Sequence, residues 1–279
     1  MEPSAISGRQ AAARDSEAEM TDLNAQAFFS ARVARQLAAE RLQPAEAVIL
    51  IRYRDAYAGK SVLDLGVGSG RTTRYLLPFS RTYLGLDLSV EMLALAKDTF
   101  PAARFVKGDL RDIDRAIGEE EPPFDFVLIA YNTIDVLSHA DRLALIDAIR
   151  ARLVPGGLFV FSTHNRAWHG SGRPPSFPTR HGFGDLPHYV WAVITTLRER
   201  RNHIRLASRQ RQEADHAIVT GSLRRSGLVY CIDEAAQRRQ LREHGFEVLS
   251  VYDCNADPVE SGKPAADSYN LHFVCRAAD

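Results

Sequence analysis

Three glycines that follow a short apolar run are the residues of this chain best placed to bind a ligand. Gly66, Gly68 and Gly70 come after residues 61–65, and residues 71–77 have the composition of a helix. Glycine lets the backbone approach a ligand closely, and the first N–H groups of a helix have no partner inside it. A strand, a glycine-rich turn and a helix start therefore predict a site for a polar or anionic ligand.

Acidic residues at the ends of the next two apolar runs extend this predicted site. Asp87 ends the second run, about twenty residues beyond Gly66, and an acid at that distance can reach the ribose of a bound nucleotide. Ser89 supplies the N-cap of the following helix, which leaves the Asp87 carboxylate available for a ligand. Asp109 ends the third run after a glycine. The pattern therefore predicts carboxylates at two neighbouring strand ends.

The turn and the segments around it resemble those of class I S-adenosylmethionine-dependent methyltransferases. The glycines are spaced G-x-G-x-G with Asp64 two residues before the first, as in motif I of that family. The dinucleotide fingerprint instead has a small third residue where this chain has Arg71. A Leu-x-Pro-Gly-Gly turn at residues 153–157 leads into the fifth apolar run and is a further mark of the family. The resemblance covers roughly residues 45–165 and 232–276.

The resemblance implies that S-adenosyl-L-methionine binds across the strand ends. It implies that Asp87 accepts from the ribose hydroxyls, that Asp109 accepts from the adenine amino group, and that Tyr53 contacts the methionine carboxylate. The residues implied to contact the cofactor are Asp64, Gly66, Gly68, Gly70, Asp87, Leu88, Met92, Asp109, Leu110, Ala130 and Tyr53. Methyl transfer would convert this cofactor into S-adenosyl-L-homocysteine.

Residues beyond the fourth and fifth runs are the candidates for the reaction itself. Ligands of a doubly wound sheet bind beyond the carboxyl ends of its strands, so we expect Tyr131 and Asn132 beside the reacting sulfonium. His164 is the candidate general base because the fifth strand holds it in place. Ser222 and Tyr230 are expected to orient a substrate. The histidines and acids lack metal-ligand spacing, so no metal ion is expected.

The elements that must position these residues follow an α/β pattern. Short apolar runs alternate with helical patterns through the first five strands, which favours a parallel sheet. Residues 248–252 and 269–275 are joined by a polar loop without a helix, so these two runs are expected to pair antiparallel. The resemblance implies a Rossmann-like, mostly parallel sheet of seven strands in the order 3-2-1-4-5-7-6, with the last strand antiparallel.

The chain is interpreted as one α/β unit with additions, in five segments. These are a flexible N-terminal arm at 1–20, an N-terminal helical lid at 21–58, the cofactor-binding core at 59–165, an inserted substrate cap at 166–230, and the C-terminal part of the core sheet at 231–279. The cap begins where glycine, proline and arginine replace the alternating pattern. Within it, residues 187–197 fit either a helix or a long strand, and residues 217–220 and 228–232 fit strands.

Charge and cysteine content narrow the classes of partner. Lysine plus arginine and aspartate plus glutamate each number 35 among 279 residues, so the net charge is zero. This balance favours neither a nucleic acid nor a membrane as the partner. The three cysteines lack metal spacing, and the N-terminus lacks the pattern of a signal peptide. We therefore expect a cytoplasmic monomer or homodimer that acts on a small molecule.

Three functions remain open at this point. The first is in-line methyl transfer to a small molecule. The second uses the same cofactor differently: its own amine attacks the γ-carbon, methylthioadenosine is expelled, and azetidine-2-carboxylate forms. The third is a protein that binds the cofactor without catalysis. A nicotinamide-dependent reductase comes last, because Arg71 replaces the small residue and the terminal hairpin does not suit that fold.

Overall fold

The computed structural model describes residue 20 and residues 41–118, 120–179, 186–221 and 225–278. The predicted arm, apart from Met20, lies outside these residues, and so does the part of the predicted lid at 21–40. None of the helices described combines the length and the apolar character that crossing a bilayer requires.

The described strands form one sheet. In chain order they are β1 (Ser61–Leu65), β2 (Thr82–Asp87), β3 (Arg104–Lys107), β4 (Phe124–Ile129), β5 (Leu153–Asn165), β6 (Arg211–Gln212), β7 (His216–Gly221), β8 (Gly227–Ile232), β9 (Phe246–Tyr252) and β10 (Asn270–Ala277). Strands β3, β2, β1, β4 and β5 are parallel neighbours in that order. Strand β10 lies antiparallel between β5 and β9. Taken alone, these seven strands have the predicted order 3-2-1-4-5-7-6, so the predicted fold class is confirmed.

Three further strands extend this sheet, and all of them come from the predicted cap. Strand β8 pairs in parallel with the end of β5, at His164 and Asn165, and β7 and β6 follow it antiparallel. Strand β10 occupies one edge of β5 as far as His164. Because β4 pairs with β5 only as far as Phe161, the other edge of β5 is open beyond that residue. Strand β8 therefore lies beyond the end of β4, close to the predicted site.

One described helix precedes β1 along the chain, and the others connect the strands. In chain order they are α1 (Pro44–Arg52), α2 (Thr73–Leu76), α3 (Val90–Thr99), α4 (Ile113–Ile117), α5 (His139–Arg152), α6 (Leu186–Leu206) and α7 (Glu234–Glu243). The predicted cap of α3 is confirmed, because the Ser89 hydroxyl accepts from the Met92 N–H. Helix α6 settles the ambiguous pattern of residues 187–197 as helical.

Alternation along β5 separates two apolar layers. Phe159 and Phe161 belong to the cluster that includes residues of α5, whereas Leu158 and Val160 belong to the cluster that includes residues of α1. Burying each such side chain is worth roughly 1.5–3 kcal/mol. The sheet is therefore held firmly on both faces, and its strand ends present polar residues at fixed positions.

Candidate active site

The glycine-rich turn is open on one side and closed on the other. Gly66, Gly68 and Gly70 all have positive φ, at +71°, +57° and +89°, a region that favours glycine. A Cβ added at Gly66 would lie 2.5 Å from the Thr133 side chain. A Cβ added at Gly68 would meet nothing within 4 Å. The turn therefore forms a cradle whose open side is at Gly68.

Asp87 closes this cradle from the end of β2. Its Oδ2 accepts from the Gly68 N–H and its Oδ1 accepts from the Ser89 N–H, both at 2.8 Å. Burial raises the pKa of Asp87 above its ordinary value, although these backbone hydrogen bonds act to lower it. The structure thus brings Asp87 to the glycine turn, as the spacing predicts.

Asp64 lies beneath the turn rather than in the cradle. Its side chain is enclosed, and its Oδ2 accepts from the Thr72 hydroxyl at 2.5 Å and from the Tyr83 hydroxyl at 2.8 Å. Burial raises the pKa of Asp64 to about 6. These contacts tie β1 to β2 and to the residue before α2, so Asp64 braces the turn from below.

Arg71 joins the turn to α1. Its guanidinium pairs with Glu46 at 2.6 and 2.8 Å and lies 5.1 Å from the centre of the Tyr131 ring. No local sequence pattern singles out Glu46, because its partner lies on another element. Tyr53 follows the opposite end of α1, and its hydroxyl shares a hydrogen bond with Ser250 in β9. This hydrogen bond joins Tyr53 to β9, and its predicted contact with the methionine carboxylate stays a prediction.

The residues expected around adenine differ in exposure. Leu88 and Leu110 are partly exposed beyond the ends of β2 and β3, whereas Met92 and Ala130 are buried. Asp109 accepts from the Arg111 backbone N–H and from its guanidinium. Partial burial acts to raise the pKa of Asp109, but the contacts with Arg111 outweigh it and leave this pKa below its ordinary value.

The end of β4 carries backbone strain and an unsatisfied polar atom. Tyr131 and Asn132 follow one another with φ of +59° and +57°, which costs of order 1–3 kcal/mol for each such residue. Tyr131 remains 41% exposed. The Asn132 N–H donates to the Ser162 hydroxyl at 2.8 Å, but its buried Oδ1 accepts no hydrogen bond from the described residues. Strain and an unpaired acceptor at one strand end are typical of a ligand site.

His164 is held by an acid that the sequence did not single out. Its Nδ1 lies 2.7 Å from Asp135 Oδ2, and its backbone N–H donates to the same oxygen at 2.6 Å. Its Nε2 lies 3.5 Å from Asn132 Nδ2. Asp135 is fully buried, and Arg142 in α5 donates to its Oδ1 at 2.6 Å. In the sequence, Asp135 is marked only as an acid three residues beyond Asn132. The segment around it has neither a strand pattern nor a helix pattern.

Tyr230, which was predicted to orient a substrate, is enclosed in this structure. It lies in β8 without exposed surface, and its hydroxyl is 3.0 Å from His139 Nδ1. The Arg142 guanidinium lies 4.6 Å from its ring centre, and burial raises the pKa of Tyr230 to about 12. Tyr230 therefore packs at the junction between the added strands and α5. Ser222, predicted beside it, lies outside the described residues.

A second polar cluster stands apart from the glycine turn. His139, Asp215 and His216 place one donor atom each within 4.8 Å of the others, among the residues described. The two imidazole rings are stacked 4.2 Å apart and lie within 1° of parallel. Metal ligands require lone pairs that converge on one point, and parallel stacked rings direct theirs side by side. The arrangement therefore fits a stacked pair of histidines and not a set of metal ligands.

Comparison with known proteins places the glycine turn in a family. Residues 62–157 match the model of a family described as methyltransferase domain. The chain is 38% identical to a malonyl-[acyl-carrier protein] O-methyltransferase of Pectobacterium atrosepticum, over 50% of this chain and 52% of the relative. It is 34% identical to a trans-aconitate 2-methyltransferase of Delftia acidovorans, over 45% of each. The chain thus spans about half the length of the curated relatives it matches.

Two solved structures are similar in fold over most of the chain. One is CalS10, an amino pentose methyltransferase of Micromonospora echinaspora with S-adenosylmethionine bound, at a TM-score of 0.54 and 20% identity over 90% of this chain and 98% of that one. The other is the glycopeptide N-methyltransferase MtfA complexed with S-adenosyl-L-homocysteine, at a TM-score of 0.52 and 18% identity over 85% and 90%. At these identities the likeness is one of fold.

Proposed function

We propose that this protein transfers a methyl group from S-adenosyl-L-methionine to a small molecule, a proposal supported by the match of residues 62–157 to the methyltransferase-domain family. The observation that carries the proposal is the cradle at Gly68. Its backbone has the left-handed φ that suits glycine, the space beside it is open, and the Asp87 carboxylate closes it from the next strand. A ligand with a ribose and a charged or polar extension fits such a cradle.

The residues proposed to bind the cofactor contact different parts of it. Asp87 is the proposed partner of the ribose hydroxyls. Asp109 and Leu110 are proposed to meet the adenine edge, with Leu88 and Met92 on its faces. Main chain at Gly66, Gly68, Gly70 and Ala130 would approach the remainder, while Asp64 supports the turn from below. Tyr53 is left out of this set because of its position at the far end of α1.

The chain's contribution to the reaction is proposed to be alignment more than acid–base work. S-adenosylmethionine supplies a methyl group on a positively charged sulfur. Holding two reactants in line and excluding water can lower a barrier by roughly 7–11 kcal/mol. Tyr131, 41% exposed at the end of β4, offers a ring face that favours a cation. Asn132 offers a buried, unpaired carbonyl oxygen beside it.

We place the acceptor between the end of β4 and the segment at 166–230. Strand β8 lies beyond the end of β4, so this added segment borders the position of the reacting group. The relatives named above act on a carrier-bound acid, trans-aconitate, an amino pentose and a glycopeptide, by their names. This range supports a small-molecule or small-group acceptor and does not select one.

The alternatives lack a supporting observation. Cyclisation of the cofactor would need residues that orient its amine, and one candidate, Tyr230, is buried against His139 and Arg142. We therefore retain methyl transfer as the proposed reaction, to a hydroxyl, amine or carboxyl acceptor.

The test is to incubate the protein with methyl-labelled S-adenosylmethionine and a panel of small hydroxyl, amine and carboxyl compounds. S-adenosylhomocysteine that appears only with an acceptor, together with label in that acceptor, would support the proposal. Release of methylthioadenosine from the cofactor, with no acceptor present, would show that the reaction is cyclisation of the cofactor and not methyl transfer. Binding without either thioether across the panel would favour a non-catalytic protein.

A further inference from the structure

The environment of Asp135 determines which nitrogen of His164 carries a proton. Asp135 is fully buried and receives four donors: the His164 backbone N–H, His164 Nδ1, the Thr163 hydroxyl and Arg142. Arg142 is a permanent cation, and its pairing at 2.6 Å favours the carboxylate form of Asp135. A carboxylate can only accept hydrogen bonds. His164 Nδ1, at 2.7 Å from it, must therefore be the nitrogen that carries the proton.

The other nitrogen of the ring is left with a lone pair. His164 Nε2 points to the end of β4, where it lies 3.5 Å from Asn132 Nδ2, and the side chain is 28% exposed. Asn132 Nδ2 is a donor, which agrees with an accepting Nε2. The lone pair thus faces the strained end of β4, beside the position proposed for the reacting methyl group.

Arg142, the cation paired with this acid, is itself held by residues of α7 and β5. Arg142 also donates to Gln237 in α7 at 2.7 Å and to the Thr163 hydroxyl at 3.2 Å, and it is fully buried. Arg142 therefore holds Asp135 from α5 while β5 holds His164. A ring oriented by a buried acid, with its second nitrogen unprotonated, is the arrangement of an oriented general base.

We propose that Asp135 is a positioning residue that fixes His164 as a proton acceptor at the mouth of the cleft, so that the acceptor of this enzyme is a hydroxyl or a protonated amine. This inference rests on the proposed methyl transfer. A hydroxyl attacks the methyl carbon through an oxygen lone pair as it loses its proton, whereas an ammonium group first loses a proton and then attacks through the lone pair that this exposes. In both cases the carbon–sulfur bond breaks with its electron pair on sulfur. The proton of the acceptor passes to His164 Nε2, and Asp135 stabilises the resulting imidazolium.

The inference separates classes of acceptor by their protons. A hydroxyl or an ammonium group must lose a proton during the reaction, and a general base then contributes roughly 10²–10⁴-fold in rate. A carboxylate is already ionised at neutral pH and gains nothing from such a base. A buried Asp–Arg pair behind His164 therefore points away from carboxylate acceptors.

The primary test reads the tautomer of His164 and needs no acceptor. Protein labelled with nitrogen-15 at histidine is studied by long-range proton–nitrogen NMR, about two pH units above the ordinary imidazole pKa of ~6.5. The His164→Gln variant identifies the His164 signals. We expect a protonated Nδ1 and an unprotonated Nε2. A protonated Nε2 in the unmodified protein would overturn the proposal, whatever the variants do.

Variants of two buried acids make the test specific. Asp135→Asn should lose the unprotonated Nε2 signal, because an amide in this position also presents a donor to the ring. Asp64→Asn alters the other enclosed carboxylate and should leave the His164 signals unchanged. An unchanged tautomer in a folded Asp135→Asn variant would contradict the positioning role. If that variant does not fold, the tautomer of the unmodified protein decides.

Two further readouts separate this proposal from the proposed function. Affinity for S-adenosylhomocysteine should be similar in Asp135→Asn and the unmodified protein, since Asp135 does not line the Gly68 cradle. In the acceptor panel, the compounds methylated should be hydroxyls or amines. The rate of their methylation should drop by roughly 10²–10⁴-fold in His164→Gln. Turnover confined to carboxylates, or none among the hydroxyls and amines, would overturn the acceptor class while cofactor binding still stands.

Discussion

Asp64 and Asp135 are both enclosed carboxylates near strand ends, yet the two sides of the site use them in opposite ways. Asp64, on the cofactor side, accepts only from the hydroxyls of Thr72 and Tyr83, and burial raises its pKa to about 6. Asp135, on the acceptor side, is paired with Arg142 and holds His164. Among the described residues the first carboxylate is hydrogen-bonded by hydroxyls, with the charge of Arg71 acting to lower its pKa, whereas the second is paired directly with a guanidinium.

This difference separates a scaffold from a reactive group. A buried acid whose hydrogen-bond partners are hydroxyls is costly as an anion, so Asp64 serves best as a hydrogen-bonding brace. A buried acid with an arginine remains a carboxylate that can orient an imidazole and stabilise its charge. The acid beneath the turn is therefore held by neutral donors, whereas the acid on the acceptor side belongs to an ionic network.

The largest expected effect comes from removing the cation of that network. Arg142→Met leaves Asp135 buried without its guanidinium partner, and breaking such a pair costs roughly 3–5 kcal/mol in the free energy of unfolding. Arg104→Met breaks the exposed pair with Glu121 and should cost at most about 1 kcal/mol. Urea unfolding of both variants measures the difference. Equal losses of unfolding free energy in the two variants would show that the Asp135–Arg142 pair stabilises the fold no more than an exposed ion pair does.

The next effect is a dependence of stability on pH, with opposite signs at two buried groups. The pKa of Asp64 is raised to about 6 from an unfolded value near ~3.9, so its contribution to stability falls as pH rises through that window. Burial lowers the pKa of His272 to about 4 from an unfolded value near ~6.5, so its contribution falls as pH drops. The two slopes oppose each other between about pH 4 and pH 6.

Single variants should expose each slope. Relative to the unmodified protein, Asp64→Asn should gain stability as pH rises from about 4 to 6, and His272→Leu should lose it over the same range, each by up to ~1.4 kcal/mol per pH unit. Denaturant unfolding at several pH values measures both. Slopes of the same sign in the two variants would contradict this assignment of buried groups.

The smallest expected change in stability comes from two glycine variants, and comparing them separates backbone strain from ligand contact. Gly68→Ala and Gly156→Ala both place a Cβ at positive φ, +57° and +73°, with no atom within 4 Å of it. Each should lose roughly 1–2 kcal/mol of stability from that backbone conformation. Only Gly68→Ala should also weaken binding of S-adenosylhomocysteine, because Gly156 lies in the turn at the start of β5. Equal affinity in both variants would remove Gly68 from the cofactor site.

The same comparison explains what could be predicted from sequence. Gly66, Gly68 and Asp87 act through main-chain geometry and strand position, which a local pattern reveals. The Asp135 network depends on contacts of Arg142 with residues of other elements, and no local pattern shows which arginine of a helix is buried. Apart from His164, its members therefore could not be identified before the fold was known.

The burial of Tyr230 could not be predicted for a related reason. The strand around it was predicted, but its partner depends on which edge of β5 is open beyond the end of β4. Strand pairing between distant segments is a property of the whole sheet. The residue was consequently expected in an open cap, whereas β8 encloses it against α5.

Calorimetric titration with S-adenosyl-L-homocysteine tests the central claim, the cofactor cradle at Gly68 and Asp87, most directly. The unmodified protein should bind one equivalent with measurable heat and a rise in melting temperature. Asp87→Ala should bind more weakly by about 1–3 kcal/mol, and Asp98→Ala, at the exposed end of α3, should bind normally. Neither heat nor a thermal shift with the unmodified protein would contradict the cradle and the proposed enzyme together.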